Sequence, residues 1–222
     1  MARRSNNRFA KTVIKVFCEG ESEQAYTDYL KKQFQDVAVI KYPKATGLFE
    51  TAKEKFSKDP KFKDYTNEID EVWFFFDVEL KDVANWEKRH KIIEFIRKLR
   101  KKPNIRVRLL MTTGCIEYWL MLHYKMFAPS VQTEAEKGAM IAAVKKWEPH
   151  YEKGNKEITA HIAKNYPTAV VNAEKVLNNL LSQGLPGVED TDERNRWLCE
   201  KCLTFSTVYE AIQFLEQLAK KK

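Results

Sequence analysis

Between residues 12 and 127 the apolar pattern switches period several times. "TVIKVFCEG" (12–20) is rich in β-branched and apolar residues, the composition of a strand. After it, Tyr26, Tyr29, Leu30 and Phe34 recur at helical spacing, with Ser22 placed to cap that helix. "DVAVIKY" (36–42) predicts a second strand, and 48–56 a short helix opening after Gly47. The clearest strand is "IDEVWFFFDVE" (69–79), because the unbroken apolar run Val72 to Phe76 is what a strand buried on both sheet faces requires. A helix is predicted over 85–102, with Trp86, Ile92, Ile93, Ile96 and Leu99 turned inward. "IRVRLLMTT" (105–113) predicts the fourth strand and 115–127 the helix after it. Strands alternating with helices imply βαβ units and a mainly parallel sheet.

Past residue 128 the strand signal disappears. Helices are predicted over 134–147, 157–164, 168–183 and 206–220, the last with Thr207 and Glu210 in capping-box spacing. "LPGVEDTDER" (185–194) is the most loop-like stretch. The expected organisation is therefore an α/β core over residues 11–127, a four-stranded sheet flanked by helices, with a helical subdomain over 128–222 packed on it.

Composition narrows the setting. A chain of 222 residues that is 44% hydrophobic can bury a substantial core. The 39 Lys+Arg against 31 Asp+Glu leave a formal charge of +8, which favours a polyanionic partner and equally serves as a solubilising surface. No apolar run approaches the ~20 residues needed to cross a bilayer, and "MARRSNNRFAK" lacks the apolar segment of a signal peptide. Cys18, Cys115, Cys199 and Cys202 are too few and scattered for a disulfide framework. The expectation is a reduced, cytoplasmic protein with no membrane partner. Cys199 and Cys202 form a C-x-x-C without further ligands at zinc spacing, and read as buried helix thiols.

The chemistry gathers at strand ends. In an open α/β sheet, ligands bind beyond the carboxyl ends of the strands, where loops and helix N-termini converge. Glu19 ends the first predicted strand, Asp77 and Glu79 the third, and Thr112 and Thr113 the fourth. Side chains two apart on a strand share a face, so Asp77 and Glu79 point the same way. Three converging carboxylates suit a hard divalent cation such as Mg²⁺, which prefers oxygen ligands. The competing explanation is that acids flank helix N-termini, where negative charge is favoured by ~0.3–1 kcal/mol. That accounts well for Glu21 and Glu23, and less well for Glu19 flush against an apolar strand.

Four blocks carry a resemblance. "VFCEGESEQAYTDYL" and "VWFFFDVEL" are similar to the two Toprim motifs, a strand ending in Glu-Gly and a strand ending in D-x-D. Together with "TTGCIEYWLMLHY" and "TFSTVYEAI", in the same order along the chain, they resemble the RloB-like family, which is similar to the AbiL second component of phage abortive infection. The resemblance implies a Toprim-like core and an Mg²⁺- or Mn²⁺-dependent nuclease acting on nucleic acid, with RNA, transfer RNA included, ahead of DNA. It also implies antiviral defence beside an ABC-type ATPase of the OLD class. Carried over by position, Glu19 matches the Toprim glutamate, a general acid or base and metal ligand, and Asp77 and Glu79 match the paired aspartates. The second of that pair is a glutamate here, one methylene longer. Glu23 matches the second glutamate of the first family motif, and Glu117 and His123 the Glu and His of the third block.

Ile116, Trp119, Leu120, His123 and Phe127 fall on one helical stripe, which places His123 in the core; Glu117 lies on another face, in the first turn near Thr112. Arg3, Arg4, Arg8, Lys44, Arg106 and Arg108 are the candidates to hold a nucleic-acid backbone, although Arg106 and Arg108 also read as edge-strand charges. Two other functions fit parts of the pattern: a non-catalytic regulatory module docking on an ATPase, and a phosphoacceptor domain with Glu19, Asp77 and Thr112 at its strand ends. The second lacks a fifth strand ending in lysine. The sequence does not set the oligomeric state.

Overall fold

Four apolar segments without helical period must pair with one another, and they do so as one parallel sheet. The computed structural model describes residues 10–222; Arg3, Arg4 and Arg8 lie outside the described residues. Strands β1 (Thr12–Cys18), β2 (Ala38–Lys41), β3 (Glu71–Val78) and β4 (Arg106–Thr113) are ordered β2-β1-β3-β4, all parallel. The α/β fold class is thus as the periodicity predicts. β3 lies inside the sheet with Val72 through Phe76 at 0% exposure, the burial its unbroken apolar run requires. On one face Phe49 stacks on Phe74 with centroids 4.1 Å apart, and Phe17 on Phe74 at 5.7 Å. On the other face Trp73 meets Phe214 edge-on. Each fully buried side chain of this size contributes roughly 1.5–3 kcal/mol by transfer from water.

Helices cover both faces. In chain order they are α1 (Glu21–Gln33), α2 (Phe49–Lys58), α3 (Pro60–Asp64), α4 (Trp86–Arg97), α5 (Ile116–Leu122), α6 (Glu134–Trp147), α7 (Lys156–Ala163), α8 (Tyr166–Asn179), α9 (Asp192–Lys201) and α10 (Val208–Lys220). Residues from both halves of the chain share one apolar cluster, from Ile14 in β1 to Leu215 in α10. The β4 edge is covered by the C-terminal half. Thr112 bridges Ser206, the Thr113 N–H donates to Phe205 O (3.1 Å), and the Thr207 N–H to Met111 O (2.8 Å). An edge closed in this way is no template for another chain.

Local expectations failed where tertiary partners outbid them. Thr207 does not cap α10: its hydroxyl donates to Leu109 O and accepts from the Met111 N–H, while Glu210 pairs with buried Arg194. The reciprocal capping box occurs instead at Thr133 and Glu136, opening α6. The helix predicted over 115–127 stops at Leu122, because Asn172 Nδ2 takes the Leu122 carbonyl (2.8 Å) and Asn165 Nδ2 takes that of His123. Helix α9 begins inside the stretch that reads as loop. Thr191 caps it by accepting from the Arg194 N–H, and its buried face carries Arg194 and Asn195 beside Leu198 and Cys199. A buried polar face leaves no hydrophobic period to read.

Candidate functional site

The parallel register decides which side chains meet. Cys18 is level with Phe75, and Asp77 with Thr112, so the ends of β1, β3 and β4 form one rim. The Glu19 N–H continues the β1 ladder by donating to Phe75 O (3.0 Å). The Glu19 carboxylate then accepts the Asp77 N–H at 2.9 Å, bonding the ends of β1 and β3 to each other. Gly20 caps α1 in place of the expected Ser22, whose hydroxyl instead accepts the Gly154 N–H (3.1 Å). Glu23, in the first turn of α1, folds its carboxylate back over Gly20. A Cβ at position 20 would stand 2.9 Å from Glu23 Oε2, so any larger residue there would push the Glu23 carboxylate aside. On β4, Gly114 (φ +75°) turns the chain into α5; a Cβ there would fall 1.9 Å from Val131 O. That turn delivers Glu117 to the rim, fully buried.

Five acids thus face one another. Burial raises the Asp77 pKa well above the carboxylate range, and Glu23, Glu19, Glu117 and Glu79 push it the same way. Glu23, 4% exposed, is raised to about 7 by burial, aided by Glu19 and Glu117 against its own and the Gly20 backbone N–H groups. Glu19 keeps solvent contact, yet desolvation of its carboxylate outweighs the Asp77 N–H bond and raises its pKa as well. Asp77 Oδ1 and Glu117 Oε2 are buried without a hydrogen-bond partner. Unpaired buried carboxylate oxygens are costly, and here they point into a cluster made of oxygen donors. That donor set, and those orphaned atoms, fit a hard divalent cation.

Glu79 stands apart from the other four. Burial alone would raise its pKa, but bonds from Lys137 and Lys81 outweigh this and lower it. Lys137 comes from α6, in the helical half of the chain, and no spacing rule links it to β3. Glu117 is held by the same half: Tyr151, in the α6–α7 loop, donates its hydroxyl to Glu117 Oε1 at 2.9 Å, and Lys153 Nζ lies 3.8 Å from the same atom. Arg89 rests on the rings of Phe49 (5.4 Å) and Phe76 (5.1 Å) and pairs with Asp82. Sequence reasoning missed Lys137, Tyr151, Lys153 and Arg89.

The remaining expected residues scatter. His123 is fully buried, with Nε2 3.2 Å from the Tyr26 hydroxyl and Nδ1 3.0 Å from Trp119 O. Burial lowers its pKa to about 4, so it is a neutral core residue. Arg108 is also buried, bonded to Glu71 (3.2 and 3.3 Å) with its guanidinium 4.9 Å over Phe214. That placement corrects the expectation of a backbone-holding side chain, since a guanidinium buried in an ion pair meets no phosphate. Arg106 is exposed but starts β4, and Asp77 is level with Thr112 near the other end, ~20 Å away at strand rise. Lys44 is exposed beyond the end of β2, on the rim side. Thr112 is buried against Ser206 (3.1 Å). All four cysteines are buried and free.

Among the described residues, the set of three His, Cys, Asp or Glu side chains with ligand atoms within 4.8 Å of one another is His90, Glu94 and Asp192. Arg97 already occupies it, bonding Glu94 (2.8 Å) and both oxygens of Asp192 (2.6 and 2.8 Å). The rim carboxylates stand further apart, as mutual repulsion favours. Among the described residues no helix is long and apolar enough to cross a membrane. A family model described as RloB-like protein matches residues 14–215. No curated protein matches the chain.

Proposed function

The chain belongs to the RloB-like family, and from that premise we propose that it is a metal-dependent nuclease whose centre is the carboxylate rim at the ends of β1 and β3. The single observation that carries the proposal is Asp77: a half-buried acid at a strand end whose Oδ1 is shut off from solvent without a partner, among four other acids. A fold gains nothing from such a cluster unless protons or a cation neutralise it. Asp77 and Glu19 are the residues proposed to hold Mg²⁺ or Mn²⁺, with Glu117 beside them. Glu79 enters that set only by giving up Lys81 and Lys137. A bound divalent ion would supply neutralisation of a phosphodiester and acidification of a water.

The chain's own residues supply the rest. Glu23, with a pKa near neutrality, is suited to accept or return a proton at its carboxylate. Tyr151 orients Glu117. Lys153, 3.8 Å from Glu117, and Lys137, once released from Glu79, are suited to hold phosphate oxygens. The family resemblance further supports RNA ahead of DNA as substrate, and action beside an ABC-type ATPase in defence against phage. The test is cleavage of transfer RNA, single-stranded RNA and plasmid DNA with Mg²⁺ or Mn²⁺. Cleavage is expected from the unaltered protein and lost in Asp77→Ala; activity undiminished in Asp77→Ala would overturn the proposal.

A further inference from the structure

Away from the rim, β1 and β2 break a rule of sheet stability. Lys15 and Lys41 are register partners on adjacent strands, so two like charges stand side by side. Lys15 is also half-buried, and burial together with Lys41 lowers its pKa, with Glu68 pulling the other way. Aromatic rings hold the pair in place: Lys15 Nζ lies 5.3 Å from the Phe62 centroid and 5.6 Å from that of Tyr65, and Lys41 Nζ lies 5.7 Å from Tyr65. Lys15, Lys31, Lys41 and Lys44, with Tyr42 and Phe62, line an open cleft of about 400 Å³. Among the described residues no carboxylate lies within 4.0 Å of these four ammonium groups, whereas Lys81, Lys137 and Lys156 elsewhere are paired. Repulsion that no close ion pair offsets is expected where a ligand supplies the missing charge.

Position ties the cleft to the acids. Lys15 lies four residues before Glu19 on β1, ~13 Å at strand rise. The wall at Pro43 and Lys44 is bonded to α1, since Gln24 Nε2 donates to both carbonyls (3.3 Å each) next to Glu23. Tyr65 is 44% exposed, an aromatic face open to stacking beside the two ammonium groups. Cations along a groove, interleaved with aromatic rings, match a strand whose phosphates and bases are both accessible, which a duplex does not offer.

We infer that this cleft binds single-stranded nucleic acid and leads it to the carboxylate rim; the second clause rests on the nuclease proposal. Binding is measured without turnover, in EDTA, by fluorescence anisotropy of labelled oligouridylate, oligothymidylate and a DNA duplex between 50 and 200 mM salt. The unaltered protein is expected to prefer the single strands. Lys15→Gln with Lys41→Gln is expected to weaken them at least tenfold and to flatten the log–log salt slope by about 1.4, the loss of two phosphate contacts. Tyr65→Ala is expected to weaken them roughly tenfold, and Asp77→Asn to bind as well as the unaltered protein. Melting temperatures no lower than that of the unaltered protein confirm the folding of each variant. Absent binding by the unaltered protein, unchanged affinity in the lysine and tyrosine variants, or equal binding of duplex overturns the cleft. Cleavage that survives in Asp77→Asn overturns the nuclease proposal alone, because the anisotropy still decides the cleft.

Discussion

The Asp77 main-chain N–H donates to Glu19 Oε2 at 2.9 Å, so the acid that ends β1 is aimed by the backbone of the strand whose own acid it crowds. The bond holds the two carboxylates together against their repulsion. Asp77→Asn removes the buried charge and keeps the backbone bond. In EDTA this variant is expected to melt above the unaltered protein, because burial and four neighbouring acids disfavour the Asp77 carboxylate. Mn²⁺ is expected to raise the melting temperature of the unaltered protein, by about 2.7 kcal/mol of stability at a hundredfold excess over Kd, and to leave the variant unmoved. The same Mn²⁺ shift in both proteins would remove Asp77 from the metal centre.

Tyr151→Phe tests whether the helical half of the chain shapes the site. The ring stays, but Glu117 loses its hydroxyl partner while Oε2 already has none. The expected cost is about 1–3 kcal/mol of stability for the stranded carboxylate, with a loss of about tenfold or more in Mn²⁺ affinity as the oriented acid is freed. Calorimetric titration beside urea denaturation separates the two effects. Normal Mn²⁺ affinity in a less stable variant would make Tyr151 a packing residue.

Arg106 and Arg108 are expected to differ sharply. Arg108→Ala leaves Glu71, 4% exposed, without its cation, and is expected to cost about 3–5 kcal/mol in urea denaturation. Arg106 is exposed and lies 3.6 Å from Asp190, so Arg106→Ala is expected to change stability by about 0.5 kcal/mol or less. Similar small effects from both would contradict the burial of the Arg108–Glu71 pair.

His123 gives the protein an acid-sensitive component. Its folded pKa of about 4 lies below the ordinary 6.5, so as pH falls the unfolded chain takes the proton first. The stability conferred by neutral His123 is complete above pH 6.5 and drains away towards pH 4, by roughly 3 kcal/mol in total. Urea midpoints of the unaltered protein and His123→Gln, compared across that window, should converge as pH falls. Parallel pH profiles would rule the effect out.

The strands, their order along the chain and the acids at their ends were legible because they rest on local rules. Val72 to Phe76 needed no partner to declare a strand buried on both faces, and Glu19 and Asp77 followed from the topology of parallel sheets. Glu23 was visible as a first-turn acid, but its burial was not. Helix α9 was illegible because Arg194 and Asn195 fill its inner face. The cap at Thr207 was misread because Met111 and Leu109, about a hundred residues earlier, hold its hydroxyl.

By itself, the sequence determined an α/β protein with a carboxylate at the end of β1 and another at the end of β3, since apolar period and strand ends are properties of neighbours in the chain. Only the tertiary structure decided which acids stay unneutralised. Glu79 lies two residues from Asp77, yet Lys137 crosses from α6 to neutralise it. Glu117 takes a hydroxyl from Tyr151, and Asp77 Oδ1 meets no donor. Arg108 looked like its neighbour two residues away until Phe214 and Glu71 enclosed it. The reason in each case is the same: charge depends on burial and on partners remote in sequence, and folding alone brings those partners within a few ångströms.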